Sequence, residues 1–407
     1  MKKLFGAICA VICAATVGQA ADAAGPLPVR PREFKDSYPK FSWDRVPLYQ
    51  HVRKGTSFTP EEIRYLATFP LITFEKTTGA QQFGSTEAGT LAAARAVKQL
   101  NPAATILYYR NVIVHYGSYA ANAQLEGFSS AFLTGKDGRG RLVRNTVEAY
   151  DLTNPRLRTW WLDGVRTVCA DPAIDGVFLD GNVKVLEPAY LLKELGAARK
   201  NAVVAGYHEL MQATRAAIGP KKLMIANLVR ARFPDSGLGW LDAFDGTYVE
   251  GFETTVGATS REDYVAKGIA ATQAAARRGA IVAFTAGVGK SVADEETNAQ
   301  LTDEVRHRAT KDAETQRRLT YCLGMFLICA EEYSYFLAHD GYDATRSSTW
   351  LKRPPEFDHP LGPPQSPAKR DGYIYTREFQ HASVRIDVKT EHATIRWHRE
   401  ASAPAAK

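Results

Sequence analysis

The sequence predicts an α/β chain folded as a (β/α)8 TIM barrel with a small C-terminal β appendage. Two observations carry this expectation. Between residues 46 and 338, apolar runs of strand length alternate with helix-length segments through eight repeats. Several of those runs end in an acid beside a glycine, as in Ile174-Asp-Gly-Val-Phe-Leu-Asp-Gly181 and Gly246-Thr-Tyr-Val-Glu-Gly-Phe-Glu253. Strict alternation of strand and helix argues for parallel strands, and eight such units close into a barrel. An open doubly wound sheet is the structural alternative.

The elements follow in order. Val46 to Val52 is the first expected strand, and a helix opens at Thr59-Pro-Glu-Glu62 with Thr as N-cap and Pro in the first turn. Leu71 to Phe74 is strand two, followed by a helix from Ser85 to about Leu100. Thr105 to Val114 is strand three, and a long insertion runs on through Gly140. A helix from about Pro155 to Ala170 leads to strand four, Gly176 to Leu179. The helix Ala202 to Ile218 precedes strand five, Leu223 to Leu228. Strand six is Gly246 to Val249 with the helix Glu262 to Arg278, and strand seven is Ala280 to Thr285. A long helix over about 302–331 leads to strand eight, Tyr333 to Ala338. From Arg353 prolines break the pattern, and Gly372 to Arg377, Ala382 to Val388 and Ala393 to Trp397 are expected as three short strands.

The expected organisation is a signal peptide over 1–23, an extended Pro-rich lead-in over 24–44, the barrel over 45–352 and the β appendage over 353–400. The first segment has a basic start at Lys2 and Lys3, an apolar stretch from Leu4 to Val17, and small residues at Ala20, Ala21, Ala23 and Ala24. That pattern is a secretory signal, and the stretch is too short for a membrane anchor, which needs about 20 apolar residues. Export to the periplasm or the medium is the expected localisation. Removal of this segment lowers the formal charge from +7 to +6, because Lys2, Lys3 and Asp22 leave with it. The remaining charges are scattered, with no compact basic stripe, so no nucleic-acid partner is expected. Cys169, Cys322 and Cys329 permit at most one disulfide, and buried free thiols are the expectation; no zinc spacing occurs, so no metal and no cofactor are expected. Oligomeric state is not legible.

In a barrel of this kind the C-terminal ends of the strands form the active face. Strand by strand, that rim offers His51, Glu75 and Lys76, Arg110, Asn111 and His115, Asp180 and Asn182, Asn227 and Arg230, Glu250 and Glu253, and His339 and Asp340. Asp180 follows Val-Phe-Leu directly and precedes Gly181, which lets the backbone turn. Glu250 repeats the acid-Gly arrangement, while Glu253 lies an odd number of residues away and faces the other side of a regular strand. Two facing carboxylates are what glycosidic-bond cleavage requires. Asp180 and Glu250 are therefore the expected catalytic pair, with Glu253 and Glu75 as alternatives; Glu75 beside Lys76 is equally a structural ion pair. Arg110, Asn111, Asn182, Asn227, Tyr248, His339 and Asp340 are expected to bind a carbohydrate substrate. Tyr116, Tyr119 and Trp240 are candidates for stacking on sugar faces. Gly287-Val-Gly-Lys-Ser291 lacks the first glycine of a phosphate loop, and His208-Glu209 lacks the second histidine of a zinc-protease helix.

The run Asp151-Leu-Thr-Asn-Pro155, Trp160-Trp161 and Ile174 to Asp180 resembles bacterial glycoside hydrolases with a TIM barrel. Pro360-Leu-Gly-Pro363, Tyr375-Thr-Arg-Glu-Phe379 and Val384-Arg-Ile-Asp387 resemble the C-terminal β segment of that group. The resemblance spans about residues 45–397. More remotely, the acids after strands four and six are similar to those of the α-galactosidase clan and the polygalactosaminidase-like barrels. There the strand-four Asp is nucleophile and the strand-six acid is acid/base, which implies Asp180 and Glu250. The clan has Asp on strand six where this chain has Glu, so retention or inversion stays open. Two rival functions remain: a glycan-binding barrel without catalysis, its carboxylates held in ion pairs, and a polysaccharide lyase using a base and a neutralised uronate.

Overall fold

A computed structural model describes residues 36–288 and 312–398. Its main sheet has eight parallel strands in sequential order: β1 (Tyr49–Val52), β2 (Leu71–Phe74), β3 (Thr105–Asn111), β4 (Gly176–Asp180), β5 (Leu223–Asn227), β6 (Gly246–Val249), β7 (Ile281–Gly287) and β8 (Ser334–His339). Isolated parallel bridges from Leu48 to Phe336 and from Arg53 to Asp343 bring β1 against β8, so the sheet is a nearly closed barrel. Helices cover its outside. The proposed signal segment and the first part of the long helix expected from 302 lie outside the described residues, as do Gly289, Lys290 and Ser291.

Local chemistry explains the helix starts. Thr59 caps Pro60–Leu66 in a reciprocal capping box with Glu62, and the hydroxyl of Ser85 accepts from Ala88 N at the start of Thr86–Leu100. Asn154 and Ser260 cap Pro155–Cys169 and Arg261–Arg277 in the same way. The helix Ala197–Ile218 begins five residues earlier than expected.

Strand periodicity sorts the core into two layers. Tyr49, Leu71, Leu107, Tyr109, Phe178, Ile225, Tyr248 and Tyr335 fill the barrel interior. Their strand neighbours, such as Ile72, Tyr108, Val177 and Val249, pack outward under the helices. The inward parity continues past the apolar layers. It reaches His51 and Arg53 from β1, Glu75 from β2, Asn111 from β3, Asp180 from β4, Asn227 from β5 and Glu250 from β6.

The C-terminal appendage is an antiparallel sheet of four strands rather than three: β9 (Lys369–Asp371), β10 (Ile374–Glu378), β11 (Ala382–Asp387) and β12 (His392–Trp397). It lies on the helix Asp312–Cys329. Gly324 of that helix makes the close approach possible, because a Cβ there would stand 2.8 Å from Cγ2 of Ile386. Cys169, Cys322 and Cys329 are buried free thiols.

Candidate active site

The inward-facing residues at the strand ends line one cleft of about 480 Å³. Asp180 and Glu250 stand in its floor, linked by Asn227. The side-chain Nδ2 of Asn227 donates to Asp180 Oδ1 at 3.1 Å and to Glu250 Oε1 at 2.6 Å. These two carboxylate oxygens are therefore at most 5.7 Å apart, the sum of the two bonds. Arg230 Nη2 donates to Asn227 Oδ1 at 2.5 Å and to Glu250 Oε1 at 2.7 Å. An arginine has no acceptor, so it must face the amide oxygen, and the amide NH2 is thereby turned toward both acids.

Asp180 is gripped by four donors. Its Oδ2 accepts from Tyr109 Oη at 2.5 Å and Asn111 Nδ2 at 3.2 Å, and its Oδ1 accepts from Gly181 N at 2.7 Å as well as from Asn227. Burial, with the charge of Asp180 added to it, pushes the Tyr109 phenol well above its ordinary range, so it stays a donor. Asn111 is in turn fixed by backbone donors, Ile113 N at 3.0 Å and Val114 N at 2.7 Å on its Oδ1. Gly181 sits at φ +84°, and a Cβ there would stand 2.5 Å from Asn111 Oδ1. The residue after the acid is glycine for both reasons.

The cleft gathers Asp180, Glu250, Asn111, Asn227, Tyr248, Asp340 and Glu75, together with Tyr116. Not all present free chemistry. Glu75 is 1% exposed and clamped between Arg53, at 2.6 Å, and Lys76. Burial opposes its charge, but Arg53, Lys76 and His51 outweigh it and hold the carboxyl down at about 2. It is an ion-pair centre in the lining of the cleft. Asp340 accepts from the hydroxyls of Ser347, Ser348 and Thr349 and from Ser348 N. Burial pulls against these bonds, and the bonds win, so its carboxyl is held below its usual value while it pins the loop after β8.

Four expected residues fall elsewhere. Arg110 has the outward parity of β3, is 1% exposed, and lies over the Tyr119 ring at 4.2 Å and the Trp160 ring at 5.1 Å, away from the cleft. Asn182 is buried under the floor, donating to Leu179 O and accepting from Tyr207 Oη at 2.8 Å. Glu253 points to the appendage, where it pairs with Arg261 at 2.6 Å and with Arg318, and both arginines also hold Glu391. His339 stacks on Tyr342 at 4.2 Å behind the wall, with burial pushing it down to about 4. Tyr119 and Trp240 also lie off the cleft, and His115 Nδ1 sits 3.2 Å from Tyr150 Oη.

Arg53, Tyr342, Arg144 and Lys184 line the cleft without having been singled out in the sequence. Only Arg53 left a signal there: it shares the parity of Tyr49 and His51. Among the described residues no cluster of His, Cys, Asp or Glu has the arrangement to hold a metal ion, and no helix is long and apolar enough to cross a membrane.

A family model for hypothetical glycosyl hydrolase family 15 matches residues 98–383. No curated protein matches the chain. Among solved structures, the chain is similar to the glycoside hydrolase domain of PelA from Pseudomonas aeruginosa, at 13% identity over 65% of this chain and 89% of that one, with a TM-score of 0.39. It is similar to α-L-fucosidase isoenzyme 2 from Paenibacillus thiaminolyticus, at 14% identity, 77% and 48% coverage and a TM-score of 0.48; it spans about half of that chain. The α-galactosidase TtGalA from Thermus thermophilus gives 14% identity, 87% and 68% coverage and a TM-score of 0.41. The family model spans well over half of the sequence, and the chain belongs to hypothetical glycosyl hydrolase family 15: it is a glycosidase.

Proposed function

We propose that the chain is an exported glycoside hydrolase that cleaves an oligo- or polysaccharide with Asp180 and Glu250 as its carboxylate pair. The observation that carries this is the Asn227 amide, which donates to one oxygen of each acid and keeps those oxygens within 5.7 Å. Retaining glycosidases hold their carboxyls about 5–5.5 Å apart and inverting ones about 6.5–9.5 Å apart, to admit a water. The spacing favours retention. Asp180 then attacks the anomeric carbon as Glu250 delivers a proton to the departing glycosidic oxygen. Water next gives its proton to Glu250 and its hydroxyl to that carbon, releasing Asp180. The donors around Asp180 suit a nucleophile that must be an oriented anion when the sugar arrives. Export rests on the basic, apolar and small-residue sequence of the first 23 positions.

The test is a panel of oligo- and polysaccharides assayed with the wild type, Asp180→Asn and Glu250→Gln, with the anomeric form of the first product followed by proton NMR. Loss of turnover in both variants, with a retained anomer in the wild type, is expected. Turnover that survives both substitutions would sink the assignment, and an inverted first product would sink the nucleophilic role of Asp180.

A further inference from the structure

His51 is not part of the acid pair, yet the structure leaves it in an unusual state. It lies on the inward face of β1 and is 5% exposed. Its ring is wedged among Phe178 at 5.0 Å, Tyr342 at 4.8 Å and Tyr248 at 5.3 Å between centroids. Phe178 is two residues before Asp180 on the same face of β4, so the imidazole stands beside the floor that a sugar must cross to reach Asp180.

With Tyr49 as donor to Thr73, the hydrogen bonds select one tautomer. Nδ1 is 2.9 Å from Tyr49 Oη, and Tyr49 Oη donates to Thr73 Oγ1 at 2.6 Å. A phenol has one proton, and Tyr49 has given it to Thr73. Its oxygen therefore accepts from His51, and Nδ1 carries the hydrogen. In a neutral imidazole Nε2 is then a bare lone pair. Burial keeps the ring neutral, pushing it down to about 3; Lys76 and His339 add to that push, against Glu75 and Asp180. Among the described residues no group bonds Nε2, and it is not one of the buried side-chain atoms sealed without a partner, as His339 Nδ1 is. It opens on the cleft that His51 lines.

We infer that His51 is a specificity-determining residue of the glycosidase site proposed above, its Nε2 accepting a hydrogen bond from a free hydroxyl of the bound sugar. A lone pair in a dry aromatic collar selects by chemistry. It accepts from O–H or N–H and repels the oxygen of a carboxylate, a sulfate or an ether placed there. The inferred ligand class is a glycone carrying an unsubstituted hydroxyl at this position, not one that presents an O-substituted or carboxylate oxygen there.

The experiment has two arms that do not share their failure. In the first, histidine-15N-labelled protein is observed by NMR from pH 8 to 5, with the His51 signal assigned by its loss in His51→Gln, and neutral methyl glycosides of hexoses, 6-deoxyhexoses and N-acetylhexosamines are added. An Nδ1-protonated neutral ring is expected, with its Nε2 resonance moved by at least one glycoside and not by that glycoside once the recognised hydroxyl is O-methylated. An Nε2-protonated ring, or an Nε2 signal that no glycoside moves, overturns the inference even if the enzyme cleaves sugars. In the second, Asp180→Asn protein binds the methyl glycoside that responds and its monodeoxy analogues. Removal of one particular hydroxyl is expected to weaken binding on the order of 10- to 100-fold. That penalty should vanish in the Asp180→Asn, His51→Phe double variant and be partly restored by His51→Gln, whose amide oxygen can take the place of Nε2. Equal penalties in all three backgrounds would overturn it. Failure of wild type to turn over any glycan strikes the catalytic proposal alone, since binding and tautomer are read without turnover.

Discussion

Replacing Glu75 with Gln separates a structural acid from a catalytic one. Its carboxylate is 1% exposed and holds Arg53 at 2.6 Å and Lys76 on its other oxygen. Breaking one partner out of a buried pair costs about 3–5 kcal/mol, because the remaining charge loses its compensation. The lower end applies here. Arg53 keeps Asp343 at 3.8 Å, and Lys76 keeps its position over the rings of Tyr109 and Tyr116, 5.3 Å from each centroid. Linkage gives a similar figure. The folded-state carboxyl is held down at about 2 against an ordinary value of 4.5, and roughly 1.4 kcal/mol per unit again gives about 3 kcal/mol. A depressed acid stabilises the fold above its unfolded value and loses that contribution as the pH falls through its folded value. Glu75→Gln should therefore be about 3 kcal/mol less stable than wild type in urea at pH 7. The gap should close between pH 4.5 and 2. Urea midpoints of both proteins at pH 7 and at pH 3, with the slope checked for constancy, measure this. A loss below about 1 kcal/mol at pH 7, or a gap that stays constant down to pH 2, would refute the ion-pair account.

Three further outcomes follow from the same geometry. Asn227→Ala removes the amide that donates to both acids; a hydrogen bond to a charged group is worth about 1.5–3 kcal/mol, so kcat on the best panel substrate should fall roughly 10- to 100-fold with a smaller change in KM. An unchanged kcat would show that the amide does not position the pair. Glu253→Gln should destabilise the fold by about 3 kcal/mol while kcat at 20 °C is kept, whereas Glu250→Gln, which strips Arg230 of its partner, should lose kcat as well as stability; urea melts beside initial rates will show the difference. Gly181→Ala should cost about 1–3 kcal/mol and lower kcat as well, since the new methyl displaces Asn111 from Asp180; thermal melts and rates check it.

Much of the barrel was legible in the sequence, for a local reason. Capping residues such as Thr59 and Ser85 and the period-two apolar runs act within a few positions of themselves, so the eight strands and their order follow from short segments. Boundaries moved where tertiary bonds took over. Strand three ends at Asn111: Val112 N makes a last bond to Asp180 O, and the amides beyond it, Ile113 N and Val114 N, turn back to the Asn111 side chain.

Parity was a better guide to the cleft than proximity to a strand end. Arg110 and Asn111 are neighbours, but only Asn111 shares the inward face of Leu107 and Tyr109, and the guanidinium beside it lies under an aromatic layer instead. Glu250 follows Tyr248 by two and enters the cleft, as Asp180 follows Phe178.

The sequence by itself determined the alternation, the inward faces of the strands and the acids standing at their ends, because backbone periodicity is a property of neighbouring residues. Only the tertiary structure decided what each acid does there. Glu253 meets Arg318 and Glu391, Glu75 meets Arg53, and Asp180 and Glu250 meet the same amide of Asn227. Those partners come from distant segments, and the charge and orientation of a carboxylate depend on what surrounds it in space.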